Sequence, residues 1–231
     1  MPKRKLARKE LKKPDEFLTW TARTLRFLRE KWQLALALAL IIVALAAGAW
    51  GWRQYQEGYE ARAAIKFSQA LQSYEEATFT RKPPPGKLEG TVKAFEEVVN
   101  RYPRSQFATI SLLYIGNSLY QMGRYDEAVA AYKKVAEKGK VAPDIRALAL
   151  SSLGYIYESK GDLTSASNYF RQVVALGPSF LQEEALLSQA RTLEGLGKAS
   201  QAAQTYRELI SRFPNSTRVG YARQRLARLG G

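Results

Sequence analysis

Two carboxylates, Glu158 and Glu194, lie 36 residues apart at matching places of a recurring pattern in a chain of 231 residues that has no histidine and no cysteine. A carboxylate pair facing across a groove is a candidate for general acid–base work. Without a pocket motif, though, such pairs also arise by chance on charged faces. The missing residue types remove thiol nucleophiles, imidazole bases, disulfides and zinc or iron–sulfur sites. The chain therefore reads as a non-enzyme, with no catalytic set, no metal site and no cofactor expected. A chain without thiols fits an oxidising compartment but does not require one. The remaining chemistry is recognition. Asn117, Tyr120, Gln121, Tyr155, Glu158, Arg191 and Glu194 mix amides, rings and charges, a combination suited to holding an extended peptide or a helix.

Those residues must be positioned by the elements that carry the pattern. Gly116, Leu119, Gly123, Ala128 and Tyr132 recur as Gly154, Tyr157, Gly161, Ala166 and Phe170, and again as Ala190, Leu193, Gly197, Ala202 and Tyr206, with periods of 38 and then 36 residues. Pro178 and Pro214 each follow the aromatic by eight residues. Self-similarity at this period marks stacked helical hairpins. The small residues let the two helices of a hairpin approach, and the aromatic fills the space between hairpins. Gly123, Gly161 and Gly197 end the first helix of each pair, where a positive φ is needed. The spacing resembles the tetratricopeptide repeat, which implies an all-α, right-handed helical solenoid. In that fold the first helices line a concave groove, and the seven recognition residues map to it as candidate partner contacts.

The pattern extends both ways. Phe95 and Pro103 keep the eight-residue interval, so residues 90–101 read as the second helix of a partial earlier unit. Phe67, Ala70, Leu71, Tyr74 and Ala77 have the spacing of its first helix, which is expected to continue out of the apolar segment before it. Residues 81–89 contain three consecutive prolines and are expected to be loop. Residues 216–229 read as a capping helix whose outer side is kept polar by Arg218, Arg223, Arg225 and Arg228. Grip on an acidic partner is the alternative use of those arginines.

From Leu34 to Trp52 nineteen residues carry no charge. As a helix they extend roughly 28 Å, about the thickness of a bilayer core, with Trp32, Trp50 and Trp52 placed for the headgroup levels. Residues 1–32 hold 11 Lys and Arg against 4 Asp and Glu, whereas only Arg53, Arg62 and Lys66 follow the segment within twenty residues. That asymmetry keeps the N-terminus in the cytoplasm. The expected organisation is a basic arm over 1–32, a transmembrane helix over 33–52 and an extracytoplasmic repeat domain over 53–231, periplasmic if the cell is bacterial. Ala47-Gly48-Ala49 has the form signal peptidase accepts, which leaves cleavage as an alternative; the long arm and long apolar run oppose it. Within the arm, Asp15 to Lys31 interleaves apolar and basic residues, as in a helix lying on the cytoplasmic leaflet. The simpler reading of the same charges is a topology signal. The net charge of +15 comes without a nucleic-acid reading element, so no nucleic-acid partner is expected.

Two further resemblances bear on partners. The apolar span followed by Gly51-Trp52-Arg53-Gln54-Tyr55 and by Ala61, Ala63, Ala64 and Phe67 looks like the YfgM-type ancillary subunit of the Sec translocon. It implies an inner-membrane anchor, a periplasmic repeat domain and association with translocon subunits and periplasmic chaperones. The junctions Arg101-Tyr102-Pro103-Arg104-Ser105 and Arg212-Phe213-Pro214-Asn215-Ser216 are similar to those of envelope proteins of the BamD and CpoB kinds. Those imply outer-membrane assembly or coordination of envelope constriction. The leading expectation is an adaptor or chaperone-like factor at the translocation machinery; the alternative is a structural scaffold that self-associates as a homo-oligomer or spaces envelope components.

Overall fold

The structure is a computed structural model that describes residues 29–79 and 86–230. Nearly all of the basic arm, with its expected amphipathic helix, lies outside those residues. Among the described residues there are nine helices and no strand: α1 (Trp32–Thr78), α2 (Lys87–Arg101), α3 (Gln106–Gln121), α4 (Tyr125–Glu137), α5 (Pro143–Ser159), α6 (Leu163–Ala175), α7 (Gln182–Gly195), α8 (Ala199–Arg212) and α9 (Val219–Arg228). They belong to two compact units that divide between Glu57 and Gly58, within α1.

The described part of the first unit is helical from Trp32 onward, and its apolar side chains face outward all round, from Leu36 at 53% exposure to Leu45 at 69%. Burying a Leu, Ile or Val side chain is worth about 1.5 kcal/mol or more. The eight such residues between Leu34 and Leu45 therefore make open water an unfavourable setting for this helix by on the order of 10 kcal/mol.

The second unit, from Gly58, is a run of helical hairpins in which each helix from α2 to α9 packs against the next. The hairpins α3–α4, α5–α6 and α7–α8 are the three repeats; α1 with α2 forms the partial unit, and α9 closes the array. Gly86, at φ 82, starts α2 directly after the prolines. Lys87, Leu88 and Glu89, expected in the loop, are therefore helical, and α9 is a few residues shorter than expected. The first helices need small residues because the aromatic of the second helix lies against them. A Cβ built on Gly116 would sit 2.6 Å from the Tyr132 ring, and one on Gly154 would sit 2.6 Å from the Phe170 ring. Gly123, Gly161 and Gly197 have φ of 75, 79 and 71. Behind each, the next amide reaches back five residues, Arg124 N–H to Leu119 O, Asp162 N–H to Tyr157 O and Lys198 N–H to Leu193 O, all at 2.9 Å. This is the Schellman closure that a left-handed C′ residue permits. Phe95, Phe170 and Tyr206 are fully buried and Tyr132 nearly so, which places the repeated aromatic at the centre of the core.

Candidate functional site

The first helices lie parallel and in register. Gln121 on α3 donates to the Tyr74 hydroxyl on α1 at 3.0 Å, and the Tyr155 hydroxyl on α5 donates to Glu184 on α7 at 2.9 Å. Arg191 on α7 donates to Glu158 on α5 at 2.6 Å, and Arg225 on α9 donates to Glu194 on α7 at 2.9 Å. Counted from the small residue of each repeat, the residue four further on faces the residue one past the small position of the next repeat. Glu158 with Arg191 and Glu194 with Arg225 fill that pair of places at successive junctions. At the junction before them the same two places belong to Tyr120 and Tyr155.

Tyr120 and Tyr155 are 42% and 36% exposed; the Tyr120 ring meets Tyr125 edge-on at 5.3 Å, and Tyr155 meets Phe170 at 5.0 Å. Gln121 is exposed, and Asn117 is half-buried and accepts from the Tyr132 hydroxyl at 2.7 Å. Arg191 is exposed beside half-buried Glu158. Burial opposes the Arg191 charge, but the charge and hydrogen bond of Glu158 outweigh it and raise the guanidinium pKa. Glu194 is more enclosed than Glu158, with 11% of its side chain exposed against 25%, and it also accepts from the buried Tyr206 hydroxyl at 2.8 Å. Glu158 and Glu194 thus serve two different arginines and do not form a shared acid–base site. Burial, aided by Glu184 and against the lowering effect of a hydrogen bond with Ser188, raises the Tyr155 pKa, so its hydroxyl stays a neutral donor.

The repeats are matched by a family model described as a tetratricopeptide repeat-like domain over residues 26–180, and by a tetratricopeptide repeat model over residues 184–216. The chain belongs to the tetratricopeptide repeat-like domain family. Solved structures similar to this tetratricopeptide-repeat chain include a tetratricopeptide repeat protein from Parabacteroides merdae, with a TM-score of 0.57, 15% identity, and coverage of 72% of this chain and 61% of that one. The chain thus spans about three fifths of that structure's length. MamA matches with a TM-score of 0.52 at 17% identity over 72% of this chain and 87% of that one. PilW, a widely conserved type IV pilus biogenesis factor, matches with a TM-score of 0.53 at 19% identity over 69% and 66%. These likenesses are to the fold. Among curated proteins none matches the sequence. Tetratricopeptide repeats form a protein-interaction scaffold, and no catalytic family is matched.

Sequence reasoning missed two features of this tetratricopeptide-repeat unit. One is the partners of the recognition residues, Tyr74, Glu184 and Arg225. Aligning α9 and α1 to the repeats would have placed Arg225 one past the small position and Tyr74 four past Ala70. The other is a groove of about 730 Å³ between α6 and α8, floored by α7 and edged by Asn168, Gln201, Gln204 and Thr205. The corresponding space between α2 and α4 is about 300 Å³. Its floor explains the difference in polarity. Ile115 and Leu153 are 7% and 0% exposed, and the third repeat puts the half-buried amide of Gln189 at the matching place.

Proposed function

We propose that this protein is a membrane-anchored adaptor whose first-helix face binds peptide segments of other proteins around Tyr120 and Tyr155. The observation that carries the reading is the change at the α3–α5 junction, where two exposed rings occupy the places that later junctions fill with ion pairs. Exposed tyrosines beside Asn117 and Gln121 supply ring anchors and amide hydrogen bonds, the chemistry of a peptide contact. Glu158, Glu184 and Glu194 already have cationic partners, so the face does not depend on a charged ligand.

Residues 34–52 serve as the anchor, with the basic arm in the cytoplasm and the repeats outside the inner membrane. This is supported by the outward-facing apolar helix, by the asymmetry of Lys and Arg about it, and by a family match that begins at residue 26, ahead of the apolar segment. On this reading the protein works as a chaperone-like factor beside the translocation machinery, with translocon subunits and periplasmic chaperones as partners. In-cell photocrosslinking from Tyr155 tests it. Capture of channel subunits, translocating chains or their chaperones supports it, and loss of capture in Tyr120→Ala ties the contact to the paired rings. A folded, correctly oriented protein that captures nothing refutes the groove assignment. A second reading, an envelope-assembly scaffold, is favoured by the likeness in fold to the pilus biogenesis factor PilW, and capture of cell-wall or outer-membrane machinery would select it.

A further inference from the structure

We infer that one edge of the repeat unit, the edge made by the junctions between successive hairpins, rests on anionic lipid headgroups with Phe180 inserted among them. The inference rests on the reading of residues 34–52 as a membrane span. Because the first helices are parallel, their N-terminal ends share one edge. The unit's own first residues are there too: the Tyr59 ring packs edge-on against Tyr102 at 5.4 Å, and Glu60 accepts from the Ser105 hydroxyl at 2.6 Å.

The junction segments, residues 102–105, 138–142, 176–181 and 213–218, contain Arg104, Lys138, Lys140 and Arg218 and no Asp or Glu. Besides Glu60, carboxylates lie beside these segments at Glu137, where α4 ends, and at Asp144, Glu183 and Glu184, where the next helices begin; the last two are already met by Arg218. Arg104 and Lys140 are exposed and, among the described residues, make no ion pair. The first and last junctions turn their aromatic inward, Tyr102 at 6% exposure and Phe213 half-buried. In the segment 176–181 the place before proline is taken by Gly177, at φ 93, and the aromatic is Phe180, 69% exposed. An exposed ring on an edge that also carries the unpaired cations Arg104 and Lys140 is interfacial chemistry: the ring enters the headgroup boundary while the cations meet phosphates. The tether enforces proximity. Tyr59 comes seven positions after Trp52, and even fully extended that stretch reaches at most about 25 Å.

The chain lacks cysteine, so Phe180→Cys and, at the opposite edge of the unit, Ser200→Cys each carry a single fluorophore. Full-length protein is reconstituted in phosphatidylcholine vesicles, with or without phosphatidylglycerol, that contain lipids bearing a headgroup quencher. The expected result is severalfold stronger quenching at position 180 than at position 200 in the phosphatidylglycerol vesicles. High salt, or Arg104→Glu with Lys140→Glu, should abolish the difference. Equal quenching at the two positions in inserted protein overturns the inference. Carbonate extraction of the same vesicles separates the two readings: release of the protein removes the span reading and this inference with it, whereas a retained protein with position 180 unquenched removes only this inference.

Discussion

The guanidinium of Arg225, on the closing helix, grips the carboxylate of Glu194 through Nε at 3.1 Å and a terminal nitrogen at 2.9 Å, while the buried Tyr206 hydroxyl donates to the same group. Glu158, two helices earlier, has Arg191 as its one side-chain partner among the described residues, in a more exposed setting. The two pairs look alike in sequence and differ in enclosure. Removing the Glu194 carboxylate strands the buried Tyr206 hydroxyl, which costs about 1–3 kcal/mol. An exposed pair is worth less than about 1 kcal/mol. Urea unfolding of the full chain in detergent should rank Glu194→Ala well below Arg191→Ala, and equal midpoints would contradict this.

Gly154 and Gly90 both lie in helices, yet alanine should act oppositely at the two. At Gly154 the new methyl meets the Phe170 ring at 2.6 Å, and forcing a buried ring aside costs about 1–3 kcal/mol. At Gly90, exposed on α2, nothing lies within 4 Å, and the gain in helix propensity is about 0.5–1 kcal/mol. Melting temperatures of the two variants should move in opposite directions.

Ser111 is fully buried on α3 and its hydroxyl has no hydrogen-bond partner among the described residues. The second and third repeats have Ala149 and Ala185 at this place. Ser111→Ala removes a desolvated, unsatisfied group and should stabilise the protein by about 1 kcal/mol. A fall in the unfolding midpoint would show that the hydroxyl is satisfied in solution.

Alkaline pH should destabilise the repeats through their buried phenols. Burial pushes Tyr132 up to about 12, against the smaller lowering effect of a hydrogen bond with Ser152. Burial and then Glu194 push Tyr206 up as well. An unfolded tyrosine ionises near pH 10, so above that pH the unfolded chain sheds protons that the folded one keeps. Stability is intact below pH 10 and falls as pH rises towards 12, by about 2–3 kcal/mol from Tyr132. Denaturation followed between pH 9 and 12 should show a shallower decline in Tyr132→Phe; an unchanged slope would exclude this phenol as the cause.

The fold was legible in the sequence because its constraints are steric and recur. Only glycine or alanine fits against the aromatic of the second helix, and only glycine suits the φ of the turn, so residues such as Gly154 and Gly161 announce the hairpin. The site was legible only in part. Asn117, Tyr120 and Tyr155 could be assigned to the first-helix face by register, but whether a polar residue there is available to a partner depends on what the neighbouring helix presents. Glu194 shows this: its position matches that of Glu158, and only the arrival of Arg225 and Tyr206 encloses it. The start of α2 differs from the expectation for a local reason. The three prolines predict loop through residue 89, whereas Gly86, at φ 82, lets the chain turn into a helix at once.

The array also has a direction. Each of the last junctions runs from a glutamate on one helix to an arginine on the next, and α9, which receives that contact through Arg225, contains no Asp or Glu of its own. The Glu–Arg linkage is therefore not continued by α9 itself. A copy of α7 and α8 inserted before α9 would bring both halves of the linkage, so the number of repeats is open to change by internal duplication of that hairpin.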